Sequence, residues 1–192
     1  MSDTIVIAEL SKGKISQTTN ELVTAANQLG SSCTIVVPCA DSSMANDATN
    51  ISGVAKVIAA KSDVFSNYDA AAWAEAIDAV APSGIIVTSA SAQSKDLAAR
   101  IAARRSISVI QDVISIDGTT LSTPIYSGKV IQNLSVNGDA VISIRANIFT
   151  PSENSGSSDM QVIDTSGNVT TAVKEMVQRA SERLDVSEAN II

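Results

Sequence analysis

Four short apolar runs, TIVIA (Thr4–Ala8), CTIVV (Cys33–Val37), VAKVIAA (Val54–Ala60) and GIIVT (Gly84–Thr88), alternate with helical patterns through the first half of the chain. Strands that are apolar on successive positions need burial on both faces, and a parallel sheet with helices above and below supplies it. The intervening segments carry the matching signals. Ser16–Leu29 places Leu22, Ala25, Ala26 and Leu29 on one helical face and is closed by Gly30. Asp69–Val80 starts at an N-cap aspartate, sets Ala72, Trp73, Ala76, Ile77 and Val80 in an inward stripe, and has Pro82 just beyond it. The stretch SAQSKDLAARIAARRSIS, residues 91–108, turns Leu97, Ala98, Ile101 and Ala102 inward and Lys95, Arg100 and Arg104 outward. DSSMANDATNI, residues 41–51, reads as a weaker, polar helix. The expected fold is therefore a three-layer, doubly wound α/β domain with a mostly parallel sheet.

From Val113 the period changes. VISIDG, LSTPIYSG, KVIQNLSVNGD and AVISIRANIF read as strands joined by hairpin-type turns at Asp117-Gly118, Ser127-Gly128 and Asn137-Gly138, an antiparallel extension grafted on the parallel half. After Pro151 a polar loop leads to MQVID, a short strand, and then to a helix over Thr170–Leu184 bearing Val173, Met176, Val177 and Leu184. This divides the chain into an α/β domain over residues 1–150, a linker and helix over 151–180, and a terminal segment over 181–192 ending in what reads as the opening of a further strand.

Composition limits the chemistry. The formal net charge is -7 and no long basic run occurs, which opposes nucleic-acid binding and anionic membranes as partners. No apolar stretch approaches the roughly 18 residues of a membrane span, so no direct membrane insertion is expected. Histidine is absent from all 192 residues, which removes the usual general base and the commonest metal ligand. Cys33 and Cys39 flank one strand. At about 3.3 Å per residue they stand roughly 20 Å apart, against about 7 Å for a disulfide, so both are expected as free thiols.

The candidate sites are few. ELSKGK after the first strand is neither a dinucleotide fingerprint nor a phosphate loop, and reads as an ordinary connection. At the topological switch point, Ala8 and Glu9 would face Thr88–Ala92, whose Ser/Ala-rich TSASAQS offers backbone N–H groups to a phosphate or serves simply as a helix cap. Arg100, Arg104 and Arg105 form either an anion patch or a solvated helix face. Asp112 and Asp117 suit turns and caps better than paired acid–base chemistry. Arg145, amid an apolar strand, is expected to reach a carboxylate, a carbonyl or another chain. No catalytic, cofactor-binding or metal-binding residue is assigned.

The order of four motifs resembles the amino-terminal domain of the electron transfer flavoprotein alpha subunit. They are TIVIAEL ending at Glu9, AARIAARRSISVIQDV with Arg100–Ala103 and Asp112–Val113, the hairpin Pro124–Gly128, and VISIRANIF with Arg145 and Phe149. Gln111 and Lys129 depart from the family's pattern, so no flavin contact is carried onto this hairpin. The resemblance implies an adenine-nucleotide hydrolase-like fold and an electron carrier rather than an enzyme. It implies a partner beta subunit carrying AMP or a second FAD, and an FAD held mainly by a further domain whose glycine turn would follow RLDVSEANII. It implies electrons arriving from acyl-CoA or other dehydrogenases and leaving to a quinone oxidoreductase or other acceptor, in the bacterial cytoplasm or the mitochondrial matrix. Two alternatives stand beside it: a stand-alone adenine-nucleotide module binding near Glu9 and Ser89, and a purely structural interaction domain.

Overall fold

The computed structural model describes residues 3–30 and 32–175. The chain opens with strand β1 (Thr4–Ile7) and a two-residue-per-arm hairpin, β2 (Leu10–Ser11) and β3 (Lys14–Ile15). Lys12 and Gly13 both take positive φ there, 51° and 77°, so ELSKGK makes a tight primed turn rather than a plain connection. Helix α1 (Gln17–Leu29) follows, with Ser16 accepting from the Thr18 N–H as N-cap. Then come β4 (Cys33–Cys39), a 3-10 helix at Ser42–Asn50, β5 (Lys56–Lys61), a second 3-10 turn at Asp63–Ser66, α2 (Ala70–Asp78), β6 (Ile85–Ser89) and α3 (Ala92–Arg105). Past α3 lie β7 (Ser108–Val113), β8 (Ser115–Asp117), β9 (Thr120–Ile125), β10 (Val130–Ser135), β11 (Ala140–Ile144) and β12 (Asp159–Asp164).

Seven strands form one sheet in the order β12-β5-β4-β1-β6-β11-β7, and every pairing in it is parallel. Side-chain alternation along β1 sends Val6 and Ala8 to one face and Ile5 and Ile7 to the other. The first face packs on Leu22, Val23 and Leu29 of α1, Ala45 and Ala48 of the 3-10 helix, and Leu121 of β9. The second packs on Ala76 and Ile77 of α2 and on Leu97, Ala98, Ile101 and Ala102 of α3. The three layers of the expected α/β fold are thus present.

The antiparallel extension is smaller than expected. β8, β9 and β10 form a three-stranded antiparallel sheet, turning at Gly118 (φ 57°) and through Tyr126, Ser127 and Gly128, all at positive φ. β11 does not join it. Asn137-Gly138 is not a hairpin turn: the chain crosses back, and Ala140–Ile144 inserts between β6 and β7 in parallel register. The reason is burial. All five residues of β11 are inaccessible, which a half-exposed antiparallel ribbon does not provide.

Three further expectations need correction. Trp73 and Val80 do pack against the core cluster beneath α2, but both are half-buried rather than fully buried. The Trp73 indole N–H donates to the carbonyls of Val64 (3.0 Å) and Asn67 (2.9 Å), which keeps that edge of the ring at the surface, and the ring stands edge-on to Phe65 and Tyr68. Arg145 lies one residue beyond the end of β11 and is exposed, so no buried charge has to be compensated. The helix expected from Thr170 has no counterpart over Thr170–Glu175, and its remainder, with the terminal strand, lies outside the described residues.

The boundary expected at residue 150 does not interrupt the sheet. The polar loop after Pro151 is tied to α1 by Asn20 Nδ2, which donates to Ser152 O (2.7 Å) and Asn154 Oδ1 (2.8 Å), and β12 then pairs with β5 over six residues. Cys33 and Cys39 are both free and buried, as expected.

Candidate functional site

In a doubly wound sheet the ligand crevice opens at the carboxyl ends of neighbouring strands whose connections run to opposite faces. Here those strands are β1 and β6: α1 covers one face and α3 the other. The structure brings Glu9 and the Thr88–Ala92 segment together at this point, as the sequence places them. The main chain of Glu9 is fastened to the start of α1. Its N–H donates to Thr19 Oγ1 (3.2 Å), and its carbonyl accepts from the Ser16 N–H (2.9 Å).

The serines at the start of α3 satisfy one another. Ser91 Oγ accepts from the Ser94 N–H (3.2 Å) as N-cap, while Ser89 Oγ donates to Ser94 Oγ (2.9 Å) and accepts from the Ser91 N–H (3.4 Å). TSASAQS is thereby a helix cap whose hydroxyls are already engaged.

The enclosed part of the crevice has a volume of about 80 Å³. Leu10 from the β2–β3 hairpin, Trp73 from α2, and Gln93 and Leu97 from α3 close it in. Ligand sites generally need roughly 300–1,000 Å³, so this enclosed part alone is too small for an adenine nucleotide or a flavin. Beside it, Glu9, Ser89, Ser91, Asp112 and Arg145 line a wider, open depression of about 440 Å³, which does fall within that range. Asp112 is claimed there by Lys95, 2.7 Å away, in a pair about one-third exposed. It sits at positive φ (59°) where β7 and β11 slip register, with its N–H donating to Ser143 Oγ (3.0 Å). Asp117 is remote, at the β8–β9 turn. These are structural roles, not a general acid and base.

The arginines are likewise committed. Arg100 pairs with Asp96 one turn earlier (3.0 Å), and Arg104 and Arg105 both reach Asp78 (3.4 and 2.6 Å). Arg105 also donates to the carbonyls of Pro82 (2.8 Å) and Ala81 (2.7 Å), closing the end of α2. All three are paired with carboxylates, which suits a solvated helix face better than an anion patch. The described residues hold no cluster of three or more potential metal ligands, and no described helix is long and apolar enough to cross a membrane.

Burial pushes the Cys33 thiol up to about 12 and the Cys39 thiol up to about 11, so neither is a nucleophile at neutral pH. Sequence reading missed two polar positions of weight. Glu21, buried in α1, accepts from the Asn147 N–H (2.7 Å) and holds the loop after β11. Asp69 does far more than cap α2, through contacts about a hundred residues distant that no local pattern reveals.

Fold and site thus define a doubly wound α/β domain whose switch-point crevice is narrow in its enclosed part and open beside it. The chain matches the electron transfer flavoprotein domain family over residues 4–186 and belongs to that family. It is 27% identical over 201 residues to the electron transfer flavoprotein subunit alpha of Mycobacterium leprae, covering 100% of this chain and 63% of the relative. It is 27% identical to the Bacillus subtilis subunit alpha over 98% of this chain and 62% of the relative, and 32% identical to the mitochondrial subunit alpha of Arabidopsis thaliana over 76% and 44%. The chain therefore spans less than two-thirds of the length of these relatives.

Proposed function

We propose that this chain is the sheet-bearing part of the alpha subunit of a heterodimeric electron transfer flavoprotein. In this reading it is an electron-carrier subunit, not an enzyme. FAD takes electrons from acyl-CoA or other dehydrogenases and yields them to a quinone oxidoreductase or another acceptor, and the protein works in a bacterial cytoplasm or mitochondrial matrix. The observation that carries the reading is the family match across residues 4–186, joined by relatives named as alpha subunits over the whole chain.

The narrowness of the enclosed crevice supports a division of labour. In this reading FAD, which supplies the redox chemistry when bound, makes its contacts mainly outside the described residues, because the enclosed crevice between β1 and β6 has only about 80 Å³ and the wider depression beside it is open. What these residues offer is a rigid platform. The β9–β10 hairpin exposes Tyr126 (76%), Val130 (47%) and Ile131 (51%) at the β10 edge of the three-stranded sheet. Apolar residues on an unpaired edge mark a surface for a partner, and we assign it to the beta subunit.

Mixing the chain with its cognate beta subunit and measuring association by sedimentation tests this. A one-to-one complex is expected, and Ile131→Asp should weaken it by about tenfold or more, since a charge would be buried in the contact. No complex at micromolar concentrations would sink the assignment of partner. An undiminished complex with Ile131→Asp would sink the assignment of surface.

A further inference from the structure

The seven residues after β12, Thr165–Thr171, form no helix or strand, yet they are fixed along α2 by a series of specific contacts. Thr165 donates its N–H to Lys61 O (2.9 Å) and its hydroxyl to Ala76 O (2.9 Å). Gly167 lies so close to α2 that a Cβ would run into the Ala72 carbonyl oxygen, so only glycine lets the segment approach. The Asn168 N–H donates to Glu75 Oε2 (2.8 Å). Thr170 and Thr171 then each give both an N–H and a hydroxyl to Asp69 Oδ2, at 2.9 and 3.2 Å and at 2.9 and 2.8 Å. The other oxygen of Asp69 accepts from the N–H groups of Ala71 (3.1 Å) and Ala72 (3.0 Å).

One buried carboxylate thus does two jobs with two oxygens, capping a helix and holding a strand of coil. The segment passes from Ala76 back to Asp69, the N-terminal end of α2. Because α2 lies between two parallel strands in the chain, it begins at the carboxyl edge of the sheet, where the crevice is.

We propose that Asp69 is the clasp of a strap: it locks Thr165–Thr171 along α2, so that the chain beyond Thr171 departs from the crevice edge of the sheet in a fixed direction. Whatever the chain builds afterwards is positioned from that point. The inference stands on contacts within α2 and the strap, and its test is independent of the flavoprotein reading.

Asp69→Asn separates the two jobs. Asparagine is as good an N-cap as aspartate and keeps an oxygen for Ala71 and Ala72, but its amide nitrogen sets a donor against the four donors of Thr170 and Thr171. Hydrogen exchange should speed up by about tenfold or more at the Thr170 and Thr171 amides, with the α2 amides unchanged. Energy transfer from Trp73, the one tryptophan in the sequence, to an acceptor on Glu175→Cys should show a narrow distance distribution in the parent and a broad one with Asp69→Asn. Equal exchange in the two proteins, or an equally broad distribution in the parent, would overturn the proposal. If Asp69→Asn fails to fold, Thr170→Ala combined with Thr171→Ala removes two hydroxyl donors without touching the helix. It should loosen the strap in the same direction, and unchanged exchange there would likewise overturn it.

Discussion

Replacing Ile101 by alanine tests the packing of α3 against the sheet. Ile101 is fully inaccessible and lies in the cluster with Ile77, Leu97, Ile86 and Val141. Truncation removes three carbon atoms, which at about 0.8 kcal/mol each amounts to about 2.4 kcal/mol of transfer free energy. The neighbours that would have to collapse into the space sit on rigid strands and on α2, so a cavity term adds to this. The total should fall in the middle of the range of about 2–5 kcal/mol for such substitutions. For a chain of this size each kcal/mol moves the midpoint by about 2–4 °C, so thermal unfolding followed by circular dichroism should drop by about 7–14 °C. Arg100→Ala, on the exposed face of the same helix, should cost less than about 1 kcal/mol, because its pair with Asp96 is half-exposed. If Ile101→Ala leaves the midpoint within a degree or two of the parent, α3 does not pack as described.

Further outcomes follow from single residues. Gly118→Ala meets nothing within 4 Å and should cost only the left-handed strain of about 1–2 kcal/mol, whereas Gly84→Ala drives a Cβ into the Asp3 carbonyl and should cost more. Equal midpoints for the two variants would contradict that close approach. Thiol titration at pH 8 should find Cys33 and Cys39 unreactive in the folded chain and two thiols after denaturation. Rapid labelling without denaturant, or a count of zero afterwards, would refute the burial or the reduced state. Asp69 is held below the usual carboxylate range, first by the Ala72 N–H and then by the Thr171 hydroxyl. A lowered folded value means its contribution is complete above the ordinary aspartate value of about 3.9 and is lost only as pH falls beneath it. Exchange protection at Thr170 and Thr171, corrected for intrinsic rates, should therefore be flat from pH 7 to about 5; release in that interval would count against the clasp.

Helices α1, α2 and α3 were legible because their signals are local. Ser91 before an Ala-rich stripe, and Asp69 before Ala72, Ala76 and Ile77, each announce a capped amphipathic element within a dozen residues. β11 was misread because Asn137-Gly138 is a strong hairpin signal, and Gly138 does take positive φ (96°). The contrary signal was present too: AVISI is apolar or small at every position, as an inner parallel strand requires. Trp73 fits a helical stripe by spacing, but its indole N–H needs an acceptor, and the sequence does not say that Val64 and Asn67 will supply two. Topology brought Glu9 and Thr88–Ala92 together as the sequence placed them, while the narrowing of the space between them was not legible. The narrowing depends on Leu10, Trp73 and Gln93 arriving from three different elements. The strap is the extreme case, since Asp69 and Thr171 are separated by 102 positions.

The central claim is that these residues form a platform whose own crevice holds no flavin. Equilibrium titration of the purified 192-residue chain with FAD, followed by the emission of Trp73 at the crevice wall and by the flavin visible spectrum of the protein after desalting, tests it most directly. The account predicts no change in Trp73 emission beyond dilution and a colourless protein. Stoichiometric yellow colour carried by the chain alone, with quenching of Trp73 that saturates at one equivalent, would contradict it.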